Sequence, residues 1–260
     1  MYGHIFYNVA RPDAALLEAF QGISTSTLSD AMGRHGAIDA DIRPIYDDIR
    51  MVGCALTVLC FPGDNVMTHK ALTMVQPGDV LVIDDGDYNT GCFGHKSAML
   101  ARSRGGVGVV ASGSVRDVAA LRRDRFPSFC RSVSPRAPQK NTPGSINVPV
   151  QVGGIVINPG DIIVGDDDGI TVIPLAIAIQ ILEKAKIRDR KEQGDSQPRR
   201  TAARSGRRRA ATRRAAEGQG RRAPGAGVLG ASAPRNLSFL GLCRGSGHPP
   251  TDGGHYYPLA

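Results

Sequence analysis

The apolar residues between positions 51 and 173 fall into short runs rich in Val, Ile and Leu, separated by Gly, Pro, Asp and Asn. Runs of this length bounded by turn residues are typical of buried β-strands. Two Pro-Gly-Asp triplets, Pro77–Asp79 and Pro159–Asp161, predict tight turns that lead directly into strands. The predicted strands are Met51–Leu59, Val80–Ile83, Val107–Val110, Val148–Val152, Ile155–Ile157, Ile162–Val164 and Ile170–Ile173.

Helical spacing of apolar residues occurs before, between and after these runs. Ala14–Phe20 predicts one short helix, and Thr27–Met32 predicts a second that follows the capping residues Ser24–Ser26 and ends at Gly33. Mixed helices and strands with a strand-rich second half predict an α/β or α+β domain. The remaining predicted helices are Asn65–Val75, Lys96–Arg104 and Leu175–Lys191.

The composition changes after Gln193, which predicts a folded domain over residues 1–193 and a separate tail over 194–260. The tail has 12 Arg and no Lys against three acidic residues, which leaves 20 basic and 21 acidic residues in the predicted domain. Charge of one sign with few large apolar groups cannot offset the entropy lost on folding, so we predict a disordered tail. An RNA-binding or targeting arm is the functional alternative. The Arg/Ala/Gly/Pro bias also suggests a frameshifted reading of GC-rich DNA.

Several classes of protein are disfavoured by these patterns. The near-neutral domain gives no electrostatic reason to bind nucleic acid. No stretch approaches 18 apolar residues and the first residues lack a signal-peptide pattern, so we expect a cytoplasmic protein without membrane contact. Five cysteines without a C-x-x-C pair indicate inert thiols, not a zinc site or a disulfide framework. They are Cys54, Cys60, Cys92, Cys130 and Cys243.

Polar residues gather beside three of the predicted strands, where α/β folds bind ligands. Gly94 precedes a predicted helix, so the unpaired N–H groups after it suit a carboxylate. Asp117 suits Mg²⁺ or Mn²⁺ as a hard oxygen ligand, and Arg116 suits a substrate oxygen. Residue types alone favour a surface ion pair for Arg116 and Asp117. The full set is Asp84, Asp85, Asp87, Gly94–Ser97, Arg116 and Asp117.

Other polar motifs are predicted to be structural. Asp166–Gly169 lacks the spacing of an EF-hand loop, so an acidic hairpin turn is expected there. His4, His35 and His69 have no partner at ligand spacing and are predicted to be ordinary histidines. The chain has no GxSxG elbow, no Walker loop and no G-x-G-x-x-G cofactor loop that would favour a methyltransferase.

Longer motifs in a fixed order carry a resemblance to a known family. They are STSTLSDAMGRHG, VGCALTVLCFPGDN, QPGDVLVIDDGD, GVVASGSVRD, FPSFCRSVSPRAP and INVPVQVGGIVINPGDIIVGDDDGITVIP. On these motifs residues 24–193 resemble the RraA-like family. The resemblance implies an α/β fold, a β/β/α sandwich similar to the phosphohistidine (swivelling) domain, assembled as homotrimers or homohexamers with active sites between subunits.

The resemblance also implies an activity. The family includes class II pyruvate aldolases, lyases that cleave 4-hydroxy-4-methyl-2-oxoglutarate or 4-carboxy-4-hydroxy-2-oxoadipate to pyruvate and a second oxo acid during the degradation of aromatic compounds. Decarboxylation of oxaloacetate is the implied side activity, and Mg²⁺ or Mn²⁺ is the implied cofactor. The alternative within the same family is a non-catalytic regulator that binds ribonuclease E.

Individual site residues follow from the resemblance. Asp117 matches the metal ligand, and Arg116 matches the residue that contacts the pyruvyl oxygen. Glu192, with Asp189 as a rival, is the candidate acid that reaches the metal site of a neighbouring subunit through water. The loop that binds the substrate carboxylate matches Gly94, His95, Lys96, Ser97 and Ala98.

Two positions depart from the family pattern of an acid, twenty residues and Arg-Asp. The acid should stand at position 95, where this chain has His95. His95 acts as the acid or base in its place, or a carboxylate comes from Asp84, Asp85 or Asp87, or turnover is lost while binding persists. The second departure is Ser112, where many relatives have Asp.

Overall fold

The computed structural model describes residues 3–195, with side chains through Arg190. The tail predicted for residues 194–260 therefore lies outside the described residues, except for Gly194 and Asp195, which close the last helix. Cys243 also lies outside them. Cys54, Cys60, Cys92 and Cys130 are buried free thiols, as predicted.

Eleven strands are formed within the described residues. Nine of them make one mixed sheet and the other two make a separate hairpin. The strands are β1 Arg43–Pro44, β2 Met51–Leu59, β3 Asp79–Asp84, β4 Gly91–Phe93, β5 Gly108–Val115, β6 Ser128–Val133, β7 Ser145–Ile146, β8 Val150–Val152, β9 Ile155–Ile157, β10 Ile162–Asp166 and β11 Gly169–Ile173.

Six α-helices accompany the strands in the described part of the chain. The second helix begins at Thr25, two residues before the predicted start, because the Ser24 side chain accepts a hydrogen bond from the Thr27 N–H and caps it. No helix within residues 3–195 is both long and apolar enough to cross a membrane. The helices are α1 Ala14–Ala19, α2 Thr25–Ala31, α3 Val66–Ala71, α4 His95–Ser103, α5 Val118–Arg123 and α6 Ala178–Asp195.

The large sheet has the order β1-β6-β5-β3-β2-β10-β11, with β4 beside β5 and β7 beside β2. Ala37 bridges Thr171 of β11 at one edge of the sheet, and Arg43 pairs with Cys130 of β6 at the other edge. The short segment between Ala37 and Arg43 therefore links the two edges. The sheet is therefore nearly closed. This mixed α/β architecture agrees with the predicted class, and the likeness to a phosphohistidine domain stays a prediction.

Each face of the sheet is covered, which explains why its strands are almost continuously apolar. One face packs Val82, Phe129 and Ile163 against the β8–β9 hairpin, and the other packs Leu81 and Val109 against the helices. The strands β2, β3, β5 and β6 run parallel, so their carboxyl ends open at one edge.

The predicted bounds of β2 and β9 are confirmed, whereas the strand predicted to end at Val110 continues to Val115. β1, β4, β6, β7 and α5 were not predicted. The Asp166–Gly169 segment is a hairpin turn, as predicted, because Asp166 pairs with Gly169. The carboxylates of Asp166 and Asp167 accept backbone hydrogen bonds from Thr25, Asp48 and Ile49.

Candidate active site

Two neighbouring strand ends bring Gly94 and the Arg116–Asp117 pair together. β4 pairs in parallel with the last residues of β5, and the Arg116 N–H donates to the Phe93 carbonyl at 2.9 Å. Gly94 is the N-cap of α4, and Asp117 is the N-cap of α5. The sequence-based expectation that these residues share one edge of the sheet therefore matches the observed geometry.

Asp117 has a left-handed backbone with φ of 60°. Successive residues of a strand face opposite sides, so this turn is what lets Arg116 and Asp117 approach one another. The Asp117 Oδ2 atom accepts a hydrogen bond from the His95 N–H at 3.2 Å and lies 3.8 Å from the Arg116 Nε. Both side chains are nearly half exposed, at 42% and 45%, so each keeps a surface for a ligand.

Gly94 and Gly91 allow this close approach. A Cβ atom at Gly94 would lie 2.7 Å from the Asp117 Oδ2 and 3.0 Å from the Arg116 Cγ. A Cβ atom at Gly91 would lie 2.8 Å from the Arg116 Cβ. Real Cβ atoms do not approach so closely, so any side chain at Gly94 would displace the carboxylate of Asp117.

The first turn of α4 has two unpaired backbone N–H groups that could bind a carboxylate, which is fewer than the sequence predicts. The Ala98 N–H donates to the Gly94 carbonyl at 3.0 Å and the His95 N–H is taken by Asp117. Within residues 3–195, the N–H groups of Lys96 and Ser97 have no hydrogen-bond partner, as expected at a helix start. The predicted carboxylate site is thus corrected: Ala98, whose side chain is buried in the core, does not contribute to it.

A cleft of about 230 Å³ opens beside these groups. Among the lining side chains that sequence reasoning did not place in the site, three carry an amide, an imidazole or an ammonium group, namely Asn65, His69 and Lys140. Asn65 directly precedes α3, the helix that follows β2, so the strand-end rule applied to β2 would have indicated it. The complete lining is Asn65, His69, Gly91, Cys92, Gly94, Lys96, Ser97, Arg116, Asp117, Ala137, Pro138 and Lys140.

The cleft is electropositive. Its lining carries the cations of Lys96, Arg116 and Lys140 against the single carboxylate of Asp117. The pKa of His69 is lowered, first by burial and then by the positive charges of Lys140 and Arg116. A neutral His69 adds no charge, so the cleft suits an anionic ligand.

The ring of His95 does not line the cleft. Its Nε2 atom lies 2.6 Å from the Asp124 Oδ2 at the end of α5. Hydrogen bonds from Arg123 and then from His95 hold the pKa of Asp124 well below its usual range. The His95 ring is thus held against α5 and only its N–H reaches the site, so the predicted role of His95 as acid or base would require its ring to leave Asp124.

The alternative carboxylates also lie elsewhere. The Asp84 Oδ2 accepts from the Gln151 N–H at 3.1 Å, and the Asp87 Oδ2 lies 3.6 Å from the Arg131 guanidinium. Neither these residues nor Asp85 lines the cleft. Within one chain these carboxylates lie outside the cleft, and the hypothesis that one of them replaces the acid of position 95 stays a prediction.

Ser112 has a structural role beside Asp85. Its hydroxyl donates to the Asp85 Oδ1 at 2.8 Å and accepts from the Asp85 N–H at 3.1 Å. Burial raises the pKa of Asp85 to about 6, although hydrogen bonds from Ser112 and Cys92 oppose the shift. The serine that departs from the family pattern thus holds a buried carboxyl group behind the site.

The oxygen and nitrogen donors of the cleft limit how it could hold a metal ion. Among the described side chains, no three His, Cys, Asp or Glu residues gather in a way that could hold one. Asp117 alone presents a carboxylate to the cleft, which fits Mg²⁺ or Mn²⁺, since these ions bind through one or two carboxylates plus substrate oxygens and keep several waters. The side chain of Glu192 lies outside the described residues, and Asp189 does not line the cleft.

Known proteins are similar to this chain in sequence and in fold. The RraA-like family model (Aldolase/RraA) matches residues 25–172. A Halalkalibacterium halodurans protein named "Putative 4-hydroxy-4-methyl-2-oxoglutarate aldolase" is 37% identical over 195 residues, which cover 75% of this chain and 91% of that protein.

Two solved structures extend the comparison. RraAS2 of Streptomyces coelicolor, described as an unusual member of the RNase ES inhibitor RraA protein family, has a TM-score of 0.66 and 28% identity over 72% of this chain and 98% of its own. The RNA-processing inhibitor RraA of Thermus thermophilis has a TM-score of 0.54 and 30% identity over 58% and 92%. The chain belongs to the RraA-like Aldolase/RraA family.

Proposed function

We propose that the protein is a lyase, a metal-dependent class II aldolase that cleaves 4-hydroxy-4-methyl-2-oxoglutarate or 4-carboxy-4-hydroxy-2-oxoadipate to pyruvate and a second oxo acid. The observation that carries the proposal is the placement of Arg116 and Asp117 beside the unpaired N–H groups of Lys96 and Ser97 in an electropositive cleft. The aldolase name of the 37% identical relative supports the same reaction class.

The chain's own groups bind and orient the 2-oxo acid. The N–H groups of Lys96 and Ser97, at the positive end of α4, donate to the carboxylate at C1. The Arg116 guanidinium donates to the oxygen at C2. This pair of contacts fixes the oxo acid along one wall of the cleft and leaves C3 and C4 pointing into it.

Cleavage then breaks the bond between C3 and C4. The hydroxyl proton at C4 leaves to water, C4 becomes the carbonyl carbon of the second oxo acid, and the bonding electrons remain as the enolate of pyruvate. Arg116 stabilises the negative charge on the C2 oxygen, and water protonates C3. Asp117 would hold Mg²⁺ or Mn²⁺, which when bound draws electron density from the 2-oxo group. Oxaloacetate would lose CO₂ through the same enolate.

Formation of pyruvate from the substrates tests the proposed reaction. The full chain is incubated with Mg²⁺ or Mn²⁺ and each of the two aldol substrates and oxaloacetate, and pyruvate is measured through lactate dehydrogenase. Pyruvate formation is expected to stop on addition of a chelator and to return when excess Mg²⁺ is added. Absence of pyruvate with all three substrates, or indifference to the chelator, would refute the proposal.

Replacement of Gly94 by alanine is expected to lower kcat/KM for pyruvate formation about 100-fold, because the new Cβ displaces the Asp117 carboxylate from its place beside Arg116. The coupled pyruvate assay measures the loss. Ser103→Ala is the control, since Ser103 is exposed at the other end of α4 and does not line the cleft. Equal kcat/KM values for Gly94→Ala and Ser103→Ala would contradict the assigned geometry.

A second candidate function is a regulator that binds ribonuclease E. Two observations favour it. Position 95, where the family pattern has an acid, holds a histidine whose ring is turned to Asp124. The fold is also similar to that of RraAS2. In this case the chain would slow RNA cleavage by ribonuclease E, and an Arg116→Ala variant would slow it equally. Under either function we propose that the chain assembles with copies of itself into trimers or hexamers.

A further inference from the structure

The helices α4 and α5 carry the two halves of the proposed site. α4 presents the N–H groups of Lys96 and Ser97 to the substrate carboxylate, and α5 begins after Asp117, the candidate metal ligand. The distance between these groups therefore depends on how α4 lies against α5. The proposed reaction uses no residue from the far end of α5, yet that end holds the group that connects the two helices.

Apolar contacts alone position these two helices weakly. The buried side chains of α4 are Ala98 and Ala101, and that of α5 is Leu121. The alanine side chain is a single methyl group, so it makes few dispersion contacts and interlocks little with a neighbouring helix. A defined orientation of α4 against α5 therefore requires further contacts.

Asp124, the residue at which α5 ends, holds α4 at two points. Its Oδ2 atom lies 2.6 Å from the Nε2 atom of His95, the first residue of α4. Its carbonyl oxygen accepts a hydrogen bond at 2.7 Å from the guanidinium of Arg102, in the last turn of α4. His95 and Arg102 are seven residues apart, so they lie on one face of the helix and about 10 Å apart along its axis. Two contacts at this spacing fix both the rotation and the tilt of α4.

His95 also reaches the site through its backbone. Its N–H donates to the Asp117 Oδ2 at 3.2 Å while its ring lies at Asp124, so this one residue contacts both ends of α5. Hydrogen bonds from Arg123 and then from His95 keep the pKa of Asp124 low, so its carboxylate is charged. A charged acceptor makes the hydrogen bond to the ring stronger than one between neutral groups.

We propose that Asp124 is a positioning residue that acts through His95, and that the pair sets the carboxylate-binding N–H groups of α4 at the correct distance from Asp117. The His95 ring stays on Asp124 during the reaction. Position 95 thus supplies a contact between two helices where the family pattern has an acid. This inference rests on the proposed function, since it assumes that one substrate lies between the start of α4 and Asp117.

A double-mutant cycle on pyruvate formation from oxaloacetate tests the pair. His95→Ala and Asp124→Ala are each expected to lower kcat/KM about tenfold, because a loosened α4 no longer holds its N–H groups in line with Asp117. The double variant is expected to lose no more than either single variant, since the same contact is absent from all three. All three keep the backbone N–H of position 95 and the carbonyl of position 124. Additive losses would overturn the inference.

His95→Gln separates positioning from proton transfer. The glutamine amide can still donate a hydrogen bond to Asp124 but cannot act as an acid or base, so kcat/KM is expected to stay within threefold of the unmodified protein. Arg123→Ala is the matched control, because Arg123 donates to the same carboxylate at 2.8 Å from within α5, and a change of less than twofold is expected. A loss in His95→Gln as large as that in His95→Ala would overturn the inference.

Hydrogen exchange of the α4 amides tests the pair without a substrate. Exchange is expected to be severalfold faster in His95→Ala and Asp124→Ala and unchanged in His95→Gln and Arg123→Ala. Thermal unfolding reports whether each variant folds, and His95→Ala against His95→Gln decides the inference even if Asp124→Ala does not. Unchanged exchange in both alanine variants would overturn the inference and leave the proposed function intact. Failure of the unmodified chain to form pyruvate would overturn the proposed function and the catalytic role of the pair together, even where exchange shows the contact between the helices.

Discussion

Replacement of Arg116 by alanine is expected to lower kcat/KM for pyruvate formation about 1,000-fold, which is the loss typical of removing a donor from a developing oxyanion. Among the described residues the guanidinium forms one ion pair, with Asp117 at 3.8 Å, and the side chain is 42% exposed, so the fold does not depend on it. The pyruvate assay measures the rate. Thermal unfolding is expected to show a Tm within a few degrees of the unmodified protein.

Two further variants define what Arg116 contributes. Arg116→Lys keeps the charge but loses the planar fork, so an intermediate loss is expected. Arg125→Ala removes an arginine whose guanidinium stacks 4.6 Å from the Tyr46 ring, outside the cleft, and is expected to leave the rate unchanged. A rate for Arg116→Ala within threefold of the unmodified protein would show that the site lies elsewhere.

The strands that sequence predicts best are those buried on both faces. β2 and β9 have the predicted bounds because turn or charged residues flank apolar runs. The strand predicted at the position of β5 ended too early, at Val110, because Ser112, Gly113 and Ser114 are typical of a turn in sequence. In the fold these serines are satisfied at long range, since the Ser114 hydroxyl lies 2.6 Å from that of Ser132. A local pattern does not contain such partners.

The short elements around the site have no local signal. β4 has three residues and exists through its pairing with β5. α5 follows the left-handed Asp117, a conformation that is uncommon outside glycine. These two elements determine where Gly94 and Arg116 meet, so sequence reasoning selected both residues as candidates but did not predict the path of the chain between them.

The same limit applies to the individual side chains. Gly94, Arg116 and Asp117 could be predicted because strand ends and a helix start indicate them directly. Lys140 was missed because its place depends on hydrogen bonds between Asp64 and residues almost 80 positions away in sequence. The direction of the His95 ring could not be predicted, because it depends on Asp124, 29 residues later.

Asp85 is expected to make the free energy of unfolding fall as pH rises from about 4 to about 6. Burial raises its pKa from 3.8 to about 6, so within this range the folded protein keeps a proton that the unfolded chain releases. Stability from this group is therefore complete below the unfolded pKa and is lost up to the folded pKa. A shift of about two units corresponds to a loss on the order of 3 kcal/mol.

Asp85→Asn removes this titration, and urea unfolding at several pH values compares its slope with that of the unmodified protein. Because the asparagine has no charged form, the free energy of unfolding of the variant is expected to fall less over the same pH range. Relative to the unmodified protein, the variant is expected to be most stable at neutral pH. Asp87→Asn is the control, since that carboxylate lies at the surface 3.6 Å from Arg131 and its loss leaves Asp85 in place. Equal slopes for Asp85→Asn and the unmodified protein would mean that Asp85 loses its proton over the same pH range in the folded and the unfolded chain. The Ser112 hydroxyl would then be stabilising a buried charge, with a correspondingly larger cost for Ser112→Ala.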